Sequence, residues 1–151
     1  MTAYRDAAAA DLPAVDALFR ASFTATFAHL YRPEDLAAFL ARFTPEAWEE
    51  ELASGVAIRL AEQDGDLLGY AKIGPLALPV EHQGVGVELR QLYLAEHAKG
   101  AGVAAALMDW AEESARAQKA KALFLSVFVE NHRAKRFYER RVFPLPFGPT
   151  S

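Results

Sequence analysis

Apolar residues recur every three or four positions through most of the first third of the chain, which is typical of helices that bury one face. The first helix should begin near Asp11, the second at Pro33 and the third at Thr44, because these residue types favour helix starts. Gly55 should end the third helix. A short strand over residues 3–6 precedes them. The first third of the chain is therefore predicted to be mainly helical.

From Val56 onward the pattern changes to the alternation of apolar and polar residues that is typical of strands. Strands are predicted over residues 56–63 and 67–78, and the sequence Asp64-Gly65-Asp66 between them favours a tight turn. The two strands should therefore form an antiparallel hairpin. The segment 79–85 is expected to be a connecting loop.

The second half of the chain alternates strands with helices. Strands are predicted over residues 86–94 and 122–129, and helices over 102–119 and 131–141. Because a helix joins these two strands, they should pair in parallel through a right-handed crossover. With the hairpin, this order predicts an α/β fold (an α+β mixed sheet) in a single domain, residues 1–151. The central mixed β-sheet should be flanked by helices.

Composition narrows the class of protein. The chain has 151 residues, of which 52% are hydrophobic and 24% charged, with no cysteine and a net charge of −4. These values are typical of a globular protein, and no apolar run reaches the ~20 residues of a membrane helix. No basic stripe is available for nucleic acid, and the N-terminal residues have no secretory signal pattern. We therefore expect a cytoplasmic protein whose partners include neither a membrane nor a nucleic acid.

A glycine loop joins the strand over residues 86–94 to the helix that follows it. Gly100 and Gly102 leave room for backbone N–H groups to approach a phosphate. The N-terminus of the helix adds unpaired N–H donors and the positive end of its dipole. We therefore expect this loop to bind the pyrophosphate of a nucleotide-containing ligand.

Other interpretations of the loop use less of the sequence. A Walker-type loop needs Lys and then Ser or Thr after its last glycine, and Val103-Ala104 stand there instead. Gly100 to Ala105 fit the G-x-G-x-x-A pattern of dinucleotide-binding proteins, with Glu130 as the ribose-binding acid. That pattern should follow the first strand of a sheet, whereas three strands come before it here. A glycine loop that only turns the chain is the remaining alternative.

Two segments of the second half resemble the motifs of the GNAT superfamily of N-acetyltransferases. His97-Ala-Lys-Gly100-Ala-Gly102 is similar to the family's Arg/Gln-x-x-Gly-x-Gly/Ala motif. Residues 131–143 are similar to its Asn-x-x-Ala-x-x-Phe-Tyr-Glu-x-x-Gly-Phe helix, and the two segments come in the family's order. The resemblance covers about residues 3–143. It implies the GNAT acyl-CoA N-acyltransferase fold and acetyl-CoA as cosubstrate.

A narrower resemblance concerns the acceptor. Residues 21–27, 68–72 and 88–94 are similar to segments of bacterial polyamine (spermidine/spermine) N-acetyltransferases. This resemblance implies that the acetyl group moves to a primary amine of a small polyamine-like molecule or of a peptide. A non-catalytic acyl-CoA-binding or sensing module is the alternative function.

The sequence departs from the family pattern in three places. His97 stands where Arg or Gln is usual, and Val142 stands where glycine is usual. The family adds one or two strands beyond the segment that ends here at residue 143, and we expect these C-terminal strands to be missing. They normally border the acceptor site. A homodimer whose partner subunit covers the sheet edge near residues 122–129 would complete that border.

The resemblance also implies roles for individual residues. Tyr138 would protonate the departing thiolate, Glu88 would accept the proton of the amine, and Asn131 would hydrogen-bond the cofactor. The alternatives are a core aromatic for Tyr138, a helix cap for Asn131 and a surface carboxylate for Glu88. The implied cofactor contacts are the backbone of Leu92, Tyr93 and Leu94 for the pantetheine arm, the N–H groups of Lys99, Gly100, Ala101, Gly102, Val103, Ala104 and Ala105 for the pyrophosphate, and the side chains of Asn131 and Tyr138.

Three further expectations concern the chemistry. Without cysteine the chain has no thiol to carry an acetyl group, so the transfer should be direct, within a ternary complex. The histidine spacing does not fit a metal site. The thioester should enter where the strand over residues 88–94 separates from the one over 122–129, which a bulge in the first strand would assist. A backbone N–H near Leu92 would then face the thioester carbonyl oxygen.

Two surface features have alternative interpretations. The acidic residues of the second and third helices could attract a polyamine or could simply be solvated. The aromatic residues Phe23, Phe27 and Tyr31 could line an acceptor pocket or could belong to the core.

Overall fold

The computed structural model describes residues 2–75, 86–120 and 122–124. Within these ranges the chain forms a five-stranded sheet with helices on both faces. The helices and strands are, in chain order, β1 (Ala3–Asp6), α1 (Leu12–Phe27), α2 (Pro33–Leu40), α3 (Pro45–Ala53), β2 (Ala57–Gln63), β3 (Asp66–Pro75), β4 (Gly86–Leu94), α4 (Val103–Ala117) and β5 (Ala122–Phe124).

The sheet is mixed, as the sequence predicts. Strands β1 to β4 pair in antiparallel order, and β5 pairs in parallel with β4 through the register Gly86 to Ala122 and Glu88 to Phe124. The β2–β3 hairpin turns at Asp64 and Gly65, whose φ angles are +53° and +84°. Two consecutive positive φ angles are typical of a type I′ turn, in which glycine is favoured. The predicted hairpin and the parallel pair are therefore confirmed.

Strand β4 carries a bulge near its middle. Lys72 of β3 pairs with Gln91, whereas the next residue of β3, Ile73, pairs with Leu89. Arg90 is therefore an extra residue on β4, and the strand bends at this point. The strand thus has a bulge of the kind that would assist entry of the thioester.

One face of the sheet is packed with aliphatic side chains beneath α4. Leu107 and Met108 of α4 are fully buried against Ala71 of β3, Val87 of β4 and Leu123 of β5. The 3.6-residue period of α4 places these residues on one face of the helix. The glycine loop immediately before α4 is thus attached to a well-packed element.

The other face of the sheet is covered by α1, α2 and α3 and is packed with aromatic side chains. The ring centroid of Phe19 lies 4.5 Å from that of Phe43, 6.0 Å from Trp48 and 5.7 Å from Tyr93. Such aromatic pairs add about 0.5–1.5 kcal/mol each beyond the burial of their area. The helical layer is therefore packed firmly against β4.

Polar contacts fix the three helices to one another. Asp16 of α1 accepts hydrogen bonds from Trp48 Nε1 at 2.9 Å and from Arg20 Nε at 2.8 Å. The Nη2 group of Arg20 donates to the carbonyl oxygens of Leu40 at 3.0 Å and Phe43 at 2.7 Å, just after α2. These bonds satisfy carbonyl groups that the end of α2 leaves without helical partners.

The predicted start of α3 is confirmed. The Thr44 side chain accepts a hydrogen bond from the N–H of Ala47 at 3.1 Å, and Pro45 follows as the first helical residue. This is the usual arrangement of a threonine cap. The helix ends at Ala53, and Gly55 adopts φ +103°, as expected for a glycine that terminates a helix.

The predicted role of Asp11 as a cap is wrong. Asp11 stands directly before α1, but its side chain caps no N–H group of that helix. Its carboxylate accepts hydrogen bonds from the Arg5 guanidinium at 2.7 and 2.9 Å and from the N–H of Ala8 at 2.8 Å. These bonds, with that of Arg5 foremost, lower the pKa of Asp11 to about 2. The carboxylate therefore joins β1 to the turn before α1.

Several predicted elements lie outside the described residues. These are the loop over residues 79–85, most of the strand over 122–129 and the helix over 131–141. The segment beyond residue 143, where the family's further strands are expected to be missing, also lies outside the described residues. The sheet edge on which the homodimer depends belongs largely to the same part of the chain. Within the described ranges, none of the helices is long and apolar enough to cross a bilayer.

Candidate active site

The loop between β4 and α4 has the backbone geometry that its glycines allow. Gly100 has φ +86° and Gly102 has φ +85°, values that residues with a Cβ rarely adopt. Both glycines are exposed. No heavy atom of the described residues lies within 4 Å of the position that a Cβ would occupy on either of them. The backbone of this loop is therefore open to an approaching ligand.

Helix α4 begins directly at this loop. Gly102 is its N-cap and offers no side chain, and the N–H of Ala106 makes a helical bond with the Gly102 oxygen at 3.1 Å. The N–H groups of Val103, Ala104 and Ala105 belong to the first turn, where no carbonyl of the helix can accept them. With the positive end of the helix dipole, these donors fit a pyrophosphate group.

Lys99 is engaged with a neighbour. Its N–H donates to the Glu96 carbonyl oxygen at 3.3 Å, and its Nζ pairs with the Glu96 carboxylate at 2.9 Å. A phosphate bound at the loop would compete with this long bond for the Lys99 N–H group.

The three residues predicted to contact the pantetheine arm lie on the C-terminal side of the bulge in β4. Leu92, Tyr93 and Leu94 pair with β3 along one edge of the strand. On its other edge β4 pairs with β5 from Gly86 to Glu88, where the described part of β5 ends. The predicted pantetheine contacts thus lie on the same strand, with three residues between them and the segment described as paired with β5.

Glu88 lies on the first half of β4, opposite Gly74 of β3. Its neighbours Val87 and Leu89 are buried in the core under α4, so the Glu88 side chain lies on the face covered by α1 to α3. This side chain is 13% exposed, and its Oε1 lies 4.0 Å from Nε of Arg90. A carboxylate that is mostly buried yet reachable suits proton exchange with a ligand.

A buried ion network next to Glu88 was not predicted from the sequence. Lys72, which is 2% exposed, donates from Nζ to Oε1 of Glu51 at 2.9 Å. Arg90 donates from Nη1 to the second oxygen, Oε2, of the same carboxylate at 3.3 Å. The Lys72 ammonium also lies 4.6 Å from the ring centroid of Trp48. Burial lowers the pKa of Lys72, and its hydrogen bond to Glu51 opposes that effect.

Two phenols, the buried Tyr70 and the partly buried Tyr93, stand beside this network on the same face of the sheet. The Tyr70 hydroxyl donates to Oε1 of Gln91 at 2.6 Å, and the rings of Tyr70 and Tyr93 lie 6.1 Å apart. Burial raises the pKa of Tyr93 to about 12 and that of Tyr70 well above its usual value of 10. Both side chains therefore stay neutral well above neutral pH.

Replacing Tyr93 by phenylalanine should change the alkaline stability of the protein. The phenol of Tyr93 has a pKa of about 12 when folded and of 10 in the reference state, so the folded protein binds more protons between these values. Stability from this group is present below pH 10 and is lost as the pH rises towards 12. The wild type should lose about 2–3 kcal/mol more than Tyr93→Phe over this window.

Urea unfolding of both proteins at increasing pH measures this difference. Lys72 titrates in both proteins, so its contribution cancels in the comparison. Tyr93→Phe also removes the charge that helps to raise the pKa of Tyr70, so the measured difference includes this interaction. Equal losses in the two proteins would show that the Tyr93 phenol is not desolvated.

The remaining predicted site residues cannot be placed. Asn131 and Tyr138 lie outside the described residues. As for metal ligands, the described ranges contain no group of three His, Asp or Glu side chains that could hold an ion.

Comparison with known proteins identifies the family to which this fold and glycine loop belong. The sequence model described as Acetyltransferase (GNAT) family matches residues 13–143. The chain therefore belongs to the GNAT family of acetyltransferases, and its mixed sheet flanked by helices is the fold of that family. It is an acetyl-CoA-dependent N-acetyltransferase.

Individual relatives agree with this assignment. The chain is 32% identical over 134 residues to an uncharacterized N-acetyltransferase of the pepI 3′ region of Lactobacillus delbrueckii subsp. lactis, covering 87% of this chain and 78% of the relative. It is 34% identical over 115 residues to an uncharacterized N-acetyltransferase of Mycobacterium tuberculosis, covering 75% and 70%. Its fold is similar to that of the PaiA N-acetyltransferase of Thermoplasma acidophilum in complex with coenzyme A, with a TM-score of 0.80, 20% identity and coverage of 93% and 87%.

Proposed function

We propose that this enzyme transfers the acetyl group of acetyl-CoA to a primary amine of a small polyamine-like molecule or of a peptide, directly within a ternary complex. One observation supports this most: the open glycine turn at the start of α4 follows a bulged strand that carries a mostly buried carboxylate. A phosphate-binding end and a proton-accepting group thus belong to one continuous strand–loop–helix unit.

The proposed cofactor site uses mainly backbone. The loop and the first turn of α4 would hold the pyrophosphate, and the C-terminal half of β4 would pair with the extended pantetheine arm as an added strand does. A backbone N–H near Leu92 would face the thioester carbonyl oxygen. The proposed contacts are Leu92, Tyr93 and Leu94 for the arm, Lys99, Gly100, Ala101, Gly102, Val103, Ala104 and Ala105 for the pyrophosphate, and Asn131 and Tyr138 by side chain.

The proposed chemistry needs one base and one acid. The amine nitrogen forms a bond with the acetyl carbon while the bond from that carbon to sulfur breaks. Glu88 accepts the proton that the amine loses, directly or through a water molecule. Tyr138 gives its phenolic proton to the departing thiolate.

Residues of the helical layer formed by α1, α2 and α3 support the proposed class of acceptor. Helices α2 and α3 expose the acidic residues Glu34, Asp35, Glu46, Glu49 and Glu50, which would attract a cationic amine. Phe27 and Tyr31 are half-buried and pack on Phe23, with ring centroids 4.8 and 5.9 Å from it. Their accessible sides could contact the methylene chain of a polyamine, while Phe23 itself belongs to the core.

A thiol-release screen over amine acceptors tests the proposal. With acetyl-CoA, we expect release of free coenzyme A in the presence of spermidine or peptide N-termini, with intersecting initial-velocity lines because both substrates bind before reaction. Calorimetry provides the second measurement. Binding of acetyl-CoA without thiol release for any amine would support the non-catalytic sensing module, and no binding would contradict both functions.

A further inference from the structure

Arg90 occupies an unusual position between the proposed base and the interior. It is the extra residue of the bulge in β4, so its side chain lies on the same face of the sheet as that of Glu88, two positions earlier. Its Nη1 donates to Glu51 at 3.3 Å and its Nη2 to the carbonyl oxygen of Pro75 at 2.8 Å. These two bonds fix both terminal nitrogens of the guanidinium group.

One donor of this guanidinium is left over. Nε of Arg90 is buried and has no hydrogen-bond acceptor among the described residues, and it lies 4.0 Å from Oε1 of Glu88. This separation is an ion pair rather than a hydrogen bond. Hydrogen bonds of catalytic groups are often long before the substrate binds and shorten in the complex. A small rotation of either side chain would bring the two atoms into hydrogen-bond distance.

The charges of Arg90 and its partners are balanced by Glu88. Lys72 and Arg90 are both paired to the single carboxylate of Glu51, so these three residues together carry one unbalanced positive charge. Buried charges need partners of opposite sign. The carboxylate of Glu88 supplies that missing negative charge, and the four residues are then neutral together.

The backbone makes room for this arrangement. A Cβ on Gly74 would lie 3.0 Å from both Cζ and Nε of Arg90 and 3.1 Å from Val56. Gly74 is paired with Glu88 across the sheet, so it lies directly beside both groups. The absence of a side chain at position 74 is therefore what lets the guanidinium approach β3 so closely.

We propose that Arg90 is a positioning residue: from the bulge, anchored by Glu51 and the Pro75 carbonyl, it holds the Glu88 carboxylate oriented to accept the proton of the acceptor amine. This inference rests on the proposed role of Glu88 as the base. It assigns Arg90 no contact with the cofactor loop, so the two sites should respond separately.

A double-mutant cycle tests the proposal through kcat. Arg90→Met should lower kcat by about 10- to 100-fold, because misplacing a reacting group by ~1 Å can cost that much, while the KM for acetyl-CoA stays unchanged. In a Glu88→Gln background the same Arg90→Met substitution should lower kcat no further, because Arg90 acts only through Glu88. Arg90→Lys, which keeps the charge without the fork, should restore part of kcat.

Two other variants separate positioning from general damage. Gly74→Ala should displace the guanidinium while leaving every charge in place, so it should lower kcat like Arg90→Met and have no further effect when combined with it. Arg59→Met is the matched control. Arg59 is also an arginine on a strand, and its buried Nε has no hydrogen-bond acceptor among the described residues. Its guanidinium forms an ion pair with Asp6 at 2.7 Å and lies over the ring of Trp110, away from Glu88. Its loss should leave kcat unchanged.

The outcomes distinguish the role of Glu88 as the base from the role of Arg90 as its positioning residue. An unchanged kcat in Glu88→Gln would overturn the proposed base, and this inference with it. A large loss in Glu88→Gln together with an equal effect of Arg90→Met in both backgrounds would overturn only the positioning role. If Arg90→Met does not fold, the Arg90→Lys and Gly74→Ala cycles with Glu88→Gln give the same decision.

Discussion

Replacing Tyr138 by phenylalanine should lower kcat by about 10- to 1000-fold, the range that a general acid contributes. The substitution removes only the phenolic oxygen, so the proton that the departing thiolate needs must come from water. The affinity for acetyl-CoA should change little, because the loop and the first turn of α4 supply most of the proposed cofactor contacts. Steady-state kinetics and calorimetry on the same preparation measure the two quantities.

Tyr4→Phe is the matched control for this substitution. Tyr4 lies on β1 and is 36% exposed, so the loss of its hydroxyl group should alter neither kcat nor cofactor binding. If Tyr138→Phe keeps the turnover of the control, Tyr138 is not the acid and its ring serves only to pack.

Gly102→Ala should weaken the binding of coenzyme A by about 10- to 100-fold. The new Cβ would occupy the open side of the loop and would force a residue with a side chain to adopt φ +85°. If the loop shifts to relieve that strain, one N–H bond to a charged phosphate is lost, worth about 1.5–3 kcal/mol. Calorimetric titration with coenzyme A measures the change in affinity.

Gly55→Ala separates strain from binding in this experiment. Gly55 has φ +103°, and no described heavy atom lies within 4 Å of its Cβ position, so the substitution there carries a similar backbone cost. Both variants should lose ~1–2 kcal/mol of stability from the left-handed conformation. Only Gly102→Ala should lose affinity; an equal loss in both would mean that the glycine loop does not contact the cofactor.

The sequence predicts the fold well where local chemistry is strong. Thr44 and Gly55 bound α3 because a hydroxyl cap and a positive φ are local properties of those residues. The turn at Asp64 and Gly65 fixes the hairpin for the same reason. Asp11 shows the limit: its carboxylate bonds to Arg5, a residue on another element, and so does not cap α1.

The candidate site is predictable in part. The glycine loop can be recognised from spacing alone, since a strand, two glycines and a helix are adjacent in the chain. The ion network cannot, because Glu51, Lys72 and Arg90 come from three elements that only the folded sheet brings together. In the sequence, nothing distinguishes Glu51 from the exposed acidic residues around it on α3. A lysine within an apolar strand was the one available signal, and the bulge that turns Arg90 to this face has no clear mark in the sequence.

The sheet separates two cores that differ in composition, aliphatic under α4 and aromatic under α1 to α3. The cofactor loop is attached to the first core, and the proposed acceptor groups stand over the second. Substitutions in one core should therefore leave the packing of the other largely intact. Such a division would let descendants of one ancestral enzyme change their acceptor by altering the helical layer alone, while the donor half is inherited unchanged.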